Sequence, residues 1–249
     1  MKIEPDRWLA GILGHPVFRV EDPDGGAPSA GEILDAAGRG PAMFYARVTV
    51  DHLQRVSHLT GIGFHIVDVT VTFERGPEPL PGVPESPFRV RRASPSDRDR
   101  LLDIAGSCFV HSRFHADPLI PKAFADTVKQ KWIANSLSGK RGEGVFVAET
   151  GGRPVGFLAV MAAGDAGDRV RVIDLIGVDR GFQRRGAGSS LVASFINDSA
   201  GACDRLRVGT QIANIPSLRL YEKFGFRIAG ASYVLHAHVD AGSLRGMCG

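Results

Sequence analysis

The sequence is short of cysteine, of lysine and of long apolar runs, and each shortage excludes something. Cys108, Cys203 and Cys248 are the three cysteines of 249 residues. Their odd number and wide spacing fit neither a disulfide framework nor a zinc pattern, so no metal is expected and a reducing, cytoplasmic setting is. No apolar stretch approaches the ~20 residues of a membrane span. Residues 1–18 interleave Glu4, Asp6, Arg7 and His15 with short apolar patches, which does not read as a secretory signal. Charge of one sign is also missing. The net +3 comes from 30 basic and 27 acidic residues, too balanced for an electrostatic nucleic-acid binder. Six of the cations are lysines; the arginine excess suits bidentate phosphate contacts, although a bias of composition is the weightier reading. The 43% of apolar residues suffices for a packed core.

Proline is concentrated rather than scarce. The run GPEPLPGVPESPF at 76–88 holds five prolines, which fix φ and remove donors, so it cannot be helix or central strand. It divides the chain into an N-terminal partial α/β domain (1–75), a linker (76–87) and a larger unit (88–249). Before the linker, 23–31 reads as a turn-rich loop and 43–50 as a strand. Asp51 caps a short helix to Leu59, and 64–73 is a second strand. Alternation puts His65, Val67, Val69, Val71 and Phe73 on one face of that strand, and Asp68, Thr70 and Thr72 on the other with Phe64 and Ile66.

After the linker, 88–92 reads as a strand and Ser96 or Asp97 as a helix cap. Helical spacing joins Leu101, Ile104, Ala105, Cys108 and Phe109, and again Phe124, Val128, Trp132, Ile133 and Leu137 behind Pro121. Gly151-Gly152 between 145–149 and 155–161 signals a hairpin. Residues 170–178 form a strand, followed by a glycine-rich turn and a helix to about Asn197. A strand at 206–211, a helix at 216–224 and one or two strands at 226–238 complete a mixed α/β order. One echo stands out: Gly63-Phe64-His65-Ile66 and Gly225-Phe226-Arg227-Ile228 each follow a short helix and open a strand. A truncated internal duplicate or a merely recurrent joint explains it, the latter being the simpler.

Gln183-Arg184-Arg185-Gly186-Ala187-Gly188 has the form Q/R-x-x-G-x-G/A between a strand and a helix. Successive N–H groups at such a helix start make an anion cradle; an ordinary tight turn remains open on these residues alone. The segment lacks the Gly-Lys-Ser/Thr of a P-loop and the three-glycine spacing of a Rossmann turn. Downstream, NIPSLRLYEKFGF (214–226) places Asn214 at a helix start and Tyr221 two turns on. The simplest roles are an N-cap and a partly buried aromatic.

Together, VDRGFQRRGAG (178–188) and NIPSLRLYEKFGF resemble the two motifs of the GNAT superfamily of N-acetyltransferases, over about 88–239. CFVHSRFHADPLIP (108–121), KWI (131–133), LRVGTQIAN (206–214) and LTGIGFHIVDVTVTF (59–73) narrow the likeness to its TDP-fucosamine N-acetyltransferase subgroup, across nearly the whole chain. The resemblance implies a GNAT fold, with a central twisted mixed sheet flanked by helices and a smaller N-terminal piece like a truncated GNAT half. It implies acetyl-CoA as cosubstrate and a TDP-linked amino-dideoxy sugar of surface-polysaccharide synthesis as acceptor. A homodimer is compatible with it.

The resemblance also assigns roles. Main-chain groups of Ile176 and Val178 would pair with pantetheine, and Gln183, Arg184, Arg185, Gly186, Ala187, Gly188 and Ser189 would hold the pyrophosphate. Asn214 would reach the pantetheine, and Tyr221 would protonate the leaving thiolate. Asp68 is the candidate base, with a solvent-facing edge carboxylate as the alternative. For the nucleotide sugar the candidates are Ser112, Arg113 (diphosphate), Phe114 (base stacking) and His115 (sugar hydroxyls), with His111, Lys129 and Lys131 behind them. The other readings are a GNAT for a peptide N-terminus or small amine, and a non-catalytic acyl-CoA-binding module.

Overall fold

Two helix–glycine–phenylalanine–strand joints organise the chain, and each delivers its strand into the other's half of the sheet. The computed structural model describes residues 2–21, 26, 28–82, 86–165, 167–240 and 243–244. Parts of the 23–31 loop and of the proline-rich run, and all of Cys248, lie outside the described residues. The chain opens with β1 (Lys2–Pro5), α1 (Arg7–Leu13), β2 (Val17–Glu21) and α2 (Ala30–Ala37). Next come β3 (Ala42–Thr49), α3 (Leu53–Gly61) and β4 (His65–Arg75). Beyond the proline run follow β5 (Arg89–Arg92), α4 (Arg98–Ala105), the single turn α5 (Arg113–Ala116) and α6 (Lys122–Leu137). The strands β6 (Gly144–Thr150), β7 (Arg153–Asp165) and β8 (Asp168–Val178) precede α7 (Ala187–Ser199). Last are β9 (Arg205–Gln211), α8 (Ile215–Lys223), β10 (Arg227–Asp240) and β11 (Ser243–Leu244).

All eleven strands form one sheet in the order β1-β2-β3-β10-β4-β9-β8-β7-β6-β5, with β11 on β10. The unit β3-α3-β4 matches β9-α8-β10. In each, Gly63 (φ 99°) or Gly225 (φ 79°) supplies the left-handed turn that ends the helix. The strand that follows crosses over: β10 pairs antiparallel with β3, and β4 pairs antiparallel with β9. Outside them β2 lies parallel to β3 and β8 parallel to β9. The order is therefore symmetric about the β10–β4 pair, and the two joints of the echo occupy matching places in it. The mixed α/β sheet flanked by helices is the fold that the motifs imply. The proline run separates β4 from β5 in sequence, yet β4 lies between two strands from beyond that run.

Local signals account for the elements around the site. Gly151 (φ 57°) and Gly152 (φ 74°) form a two-residue hairpin turn with both φ values positive, which side chains resist. Leu191, Val192, Phe195 and Ile196 of α7 pack on Leu158, Val160 and Val208 on one face of the sheet. On the other face α4 and α6 cover Val147, Phe157 and Leu175. No helix among the described residues is long and apolar enough to cross a membrane.

Two bulges matter. In β8 the pairing with β7 skips Asp174, and Arg141 clamps that carboxylate through Nε (2.6 Å) and Nη2 (2.7 Å), with Trp132 Nε1 at 2.7 Å. Pairing of β8 with β9 ends just before it, at Ile173–Val208, although the two strands run on to Val178 and Gln211. The bulge bends β8 away, and the two strands splay. The second bulge breaks the alternation read from β4. Asp68 faces Val234 and His65 faces His236, so three positions on β4 span two on β10. His65 thus joins the face of Asp68 instead of the opposite one.

Candidate functional site

The splay opens a groove of about 590 Å³ between the end of β8, the glycine turn and the start of α8. Ile176, Gly177 and Val178 line one wall, and Gln183, Arg184, Gly186, Gly188 and Ser189 line its head. Gln211, Asn214, Ser217 and Leu220 line the other side, and residues 108–112 close it across. Gly186 caps α7 in a left-handed conformation with no side-chain cap bond. The first internal bond of the helix is donated by Ser190 N to Gly186 O, which leaves the first-turn N–H groups turned toward the groove. Arg184 adopts φ 60°, the only positive value at a non-glycine among the described residues. Such strain clusters where backbone N–H groups must point at a ligand.

That conformation makes a prediction. Arg184→Gly removes the strain and loosens the unfolded chain by a similar amount, so stability should change by less than about 0.5 kcal/mol. Coenzyme A affinity should stay within about threefold if main-chain groups do the holding. Arg184→Val forces a β-branched residue to positive φ and should cost about 1–3 kcal/mol, with binding weakened tenfold or more. Thermal denaturation and calorimetry with coenzyme A check both; a Gly variant that loses binding would put the grip in the side chain instead.

Most residues expected at the coenzyme are on the groove: Ile176, Val178, Gln183, Arg184, Gly186, Gly188, Ser189 and Asn214. Asn214 also accepts a bond from Ser217 N at 3.4 Å, so it caps α8 as well. Two are not. Ala187 is buried in the core beneath the turn, so only its main chain is available. Arg185 points outward, its guanidinium 5.7 Å from the Phe182 ring.

Tyr221 differs from its expected place. α8 turns Ser217 and Leu220 to the groove, and Tyr221 faces the sheet. It is 1% exposed, between Phe73 and Phe226, and does not line the groove. Burial pushes its phenol well above the usual value, and no hydrogen bond offsets that. Cys108 stands on the groove wall, where burial pushes its thiol up to about 12.

Asp68 is half-buried, and its Oδ2 has no hydrogen-bond partner. Burial raises its pKa, while the Val69 N–H, Arg47, His111 and the Thr70 hydroxyl pull it back. His111 lines the groove and Arg47 lines a second cavity of about 580 Å³. Arg19, Arg55 and Arg113 stand on the walls of that cavity with Tyr45 and Val234, and Glu21 is its single acid among the described residues. Arg113 stacks 4.0 Å over the Tyr45 ring and 4.5 Å from the Phe114 ring. Burial lowers its pKa to about 10. Ser112 lines the groove and its neighbour Arg113 the cavity, so the two spaces flank one short stretch of chain.

The remaining acceptor candidates are structural. Phe114 is 2% exposed among Leu9, Leu13 and Val128, unavailable for stacking on a base. His115 is held by Ser112 Oγ (2.6 Å) and Asp126 Oδ1 (3.0 Å). Lys129 is buried with its ammonium against the Phe109 and Trp132 rings, which lowers its pKa to about 8, and Lys131 is exposed. Sequence reasoning missed Arg19, Arg47 and Arg55, which come from β2, β3 and α3, as well as Cys108 and Gln211. Only the overall arginine excess hinted at them.

Residues 99–226 match the family model described as acetyltransferase (GNAT) family. The spore coat polysaccharide biosynthesis protein SpsD of Bacillus subtilis is 28% identical over 150 residues, 60% of this chain and 50% of that protein. The chain thus spans about half the length of that relative. A dTDP-fucosamine acetyltransferase of Escherichia coli O6:H1 is 26% identical over 195 residues, 77% of this chain and 80% of the relative. Among solved structures, a tandem GNAT protein from the clavulanic acid biosynthesis pathway superposes with TM-score 0.58 at 12% identity, covering 92% of this chain and 77% of the other. A GCN5-related N-acetyltransferase from Kribbella flavida gives 0.57 at 17% identity, with coverages of 89% and 80%. At these identities the structures speak for the fold alone.

Proposed function

Because this chain belongs to the GNAT acetyltransferase family, we propose that it is an acetyl-CoA-dependent N-acetyltransferase acting on the amino group of a nucleotide-linked amino-dideoxy sugar, with dTDP as the nucleotide, for cytoplasmic steps of surface-polysaccharide synthesis. The observation that carries the reading is the cavity with Arg19, Arg47, Arg55 and Arg113 on its walls, which flanks the coenzyme groove at Ser112–Arg113 near Asp68. Guanidinium groups recognise diphosphate oxygens with paired N–H donors. A cationic peptide amine would be repelled there. The names of the two relatives point to the same class of chemistry.

In this scheme acetyl-CoA lies in the splay, its pyrophosphate on the turn at Arg184–Ser189 and its pantetheine along Ile176–Val178 and Asn214. Residues 108–112 cover the thioester. The acceptor diphosphate sits among the arginines and carries the sugar amine toward Asp68. Asp68 takes the amine proton as nitrogen attacks the thioester carbonyl, and a strand N–H faces the oxygen on which charge develops. Tyr221 returns a proton to the departing sulfur.

The base makes a pH prediction. Only ionised Asp68 can accept a proton, and burial raises its pKa. Activity should therefore fall as pH drops through a value above the ordinary carboxylate range of ~4. Asp68→Asn should lower kcat about 100-fold or more and remove that acidic limb. A variant with an unshifted pH–rate profile takes Asp68 out of the mechanism. The substrate is tested by mass spectrometry of TDP- and UDP-linked amino sugars incubated with protein and acetyl-CoA. A product heavier by one acetyl group supports the reading. Turnover on peptide amines alone, or coenzyme binding with no turnover on any amine, overturns it.

A further inference from the structure

The β4 bulge has a consequence away from the coenzyme groove. It turns His65 toward His236 and His238, which project from β10 on the face covered by α5 and α6. Asp117, one residue past α5, places its carboxylate among the three rings. Oδ2 accepts from His236 Nδ1 at 2.6 Å and from His238 Nε2 at 2.8 Å, and Oδ1 accepts from Leu119 N at 2.9 Å. The Asp117 and His236 side chains are wholly buried. His65 keeps one-tenth of its side chain exposed, and neither of its ring nitrogens has a hydrogen-bond partner. Its nearest acceptor, Asp117 Oδ1, is 3.7 Å from Nε2, too far for a hydrogen bond. A buried imidazole that neither gives its proton nor shares its lone pair carries a desolvation cost that a bound ion or water would relieve.

The neighbouring bonds say which nitrogens are free. Arg113 Nη1 lies 3.3 Å from His236 Nε2 and can only donate. His236 Nε2 therefore accepts, and its Nδ1 carries the proton given to Asp117. That ring is fully used and orients the carboxylate, as partners behind a metal ligand do. His65, Asp117 and His238 remain, each offering one atom, all within 4.8 Å of one another. We propose that these three residues bind a divalent transition-metal ion of the zinc type. Two imidazoles and one carboxylate suit such an ion, whereas calcium and magnesium call for oxygen ligands. Tetrahedral bonds of about 2.0–2.2 Å need ligand atoms about 3.3 Å apart. His238 Nε2 and Asp117 Oδ2, 2.8 Å apart, must separate by a few tenths of an ångström, and His65, 3.7 Å from the other carboxylate oxygen in a set that spreads over as much as 4.8 Å, must close by about 1 Å. The His238 Nε2 proton leaves to solvent as the ion enters.

The absence of a metal expected from the cysteine spacing is overtaken here by ligands that lie 52 and 121 residues apart in sequence. They come from β4, from β10 and from the turn that ends the Ser112–Ala116 segment. The ion ties that segment, and Arg113 with it, to the sheet. It takes no part in acetyl transfer, so the proposal stands apart from the choice of acceptor.

Chelator-stripped full-length protein is titrated with Zn²⁺ and with Co²⁺. One ion per chain after gel filtration, visible Co²⁺ d–d bands of four- or five-coordinate intensity, and a Zn²⁺-dependent rise in Tm are expected. His65→Leu should lose the bound ion, the bands and the rise, and in metal-free buffer should be at least as stable as the parent. Uptake below one-tenth of an ion per chain overturns the proposal, whatever the variant does. So does equal uptake by His65→Leu, which would place the ion elsewhere. A parent Tm indifferent to metal, with a stabilised His65→Leu, would give the gap to a water and overturn it too.

Discussion

Tyr221→Phe should lower kcat by about 100-fold or more while leaving coenzyme A affinity and Tm nearly unchanged. The ring is buried between Phe73 and Phe226, and phenylalanine fills the same space, whereas only the hydroxyl can give a proton. An acid in this place looks weak, because burial has raised its pKa. The acceptor of the proton feels the same surroundings, however. Cys108 on the groove wall is a thiol pushed up to about 12, against about 8.5 in water. A thiolate released into such apolar surroundings loses solvation as well, which raises its own basicity and narrows the gap to Tyr221. The ring follows Leu220, which lines the groove, and in the proposed mechanism its hydroxyl meets the sulfur at the gap between β8 and β9. Steady-state kinetics, calorimetry and thermal denaturation on one pair of proteins decide the matter. A role in packing alone predicts kcat unchanged.

What the sequence conveyed and what it withheld divide along the range of the interactions. The glycine turn, the Asn214 cap, the Gly151-Gly152 hairpin and most strands after the proline run are set by neighbours a few residues away, and the chain adopts them. The groove followed, since its head and one wall are built from two short segments. Near the N-terminus β1, α1 and β2 are too short to show a period in the sequence. The Gly-Phe echo was visible, but nothing local distinguishes a recurrent joint from a strand that crosses into the other half. The β4 bulge likewise rests on the register with β10, and without it His65 points away from Asp68. The arginine cavity gathers residues 19, 47, 55 and 113 from four elements. Phe114 and His115 show the converse error. A loop rich in chemically able residues can owe its pattern to packing and to its own hydrogen bonds.

Residues 88–249 expressed alone should fail to fold cooperatively, even though the coenzyme groove lies almost wholly within them. The cause is β4. It pairs with β10 along Arg227–His236 and with β9 along Leu206–Gln211, and it buries Val71 and Phe73 in the core that also holds Tyr221 and Leu191. Without it, β9 and β10 lose the strand between them. Two rows of backbone N–H and C=O groups are then bare beside apolar surface, the arrangement that drives strands to pair with other chains. Loss of β3 removes the other partner of β10 as well. The cost exceeds the ~5–15 kcal/mol by which domains are stable, so aggregation or a non-cooperative melt is expected rather than a lowered Tm. A chain cut within 77–87 after folding should behave otherwise. Its two pieces remain interleaved through the sheet, should co-purify, and should keep coenzyme A affinity within a few-fold. Circular dichroism melts, size-exclusion chromatography and calorimetry on both samples test this. A lone 88–249 fragment that melts cooperatively near the parental Tm would mean that the C-terminal strands can close the sheet without β4, and that the crossover is not what holds the splay open.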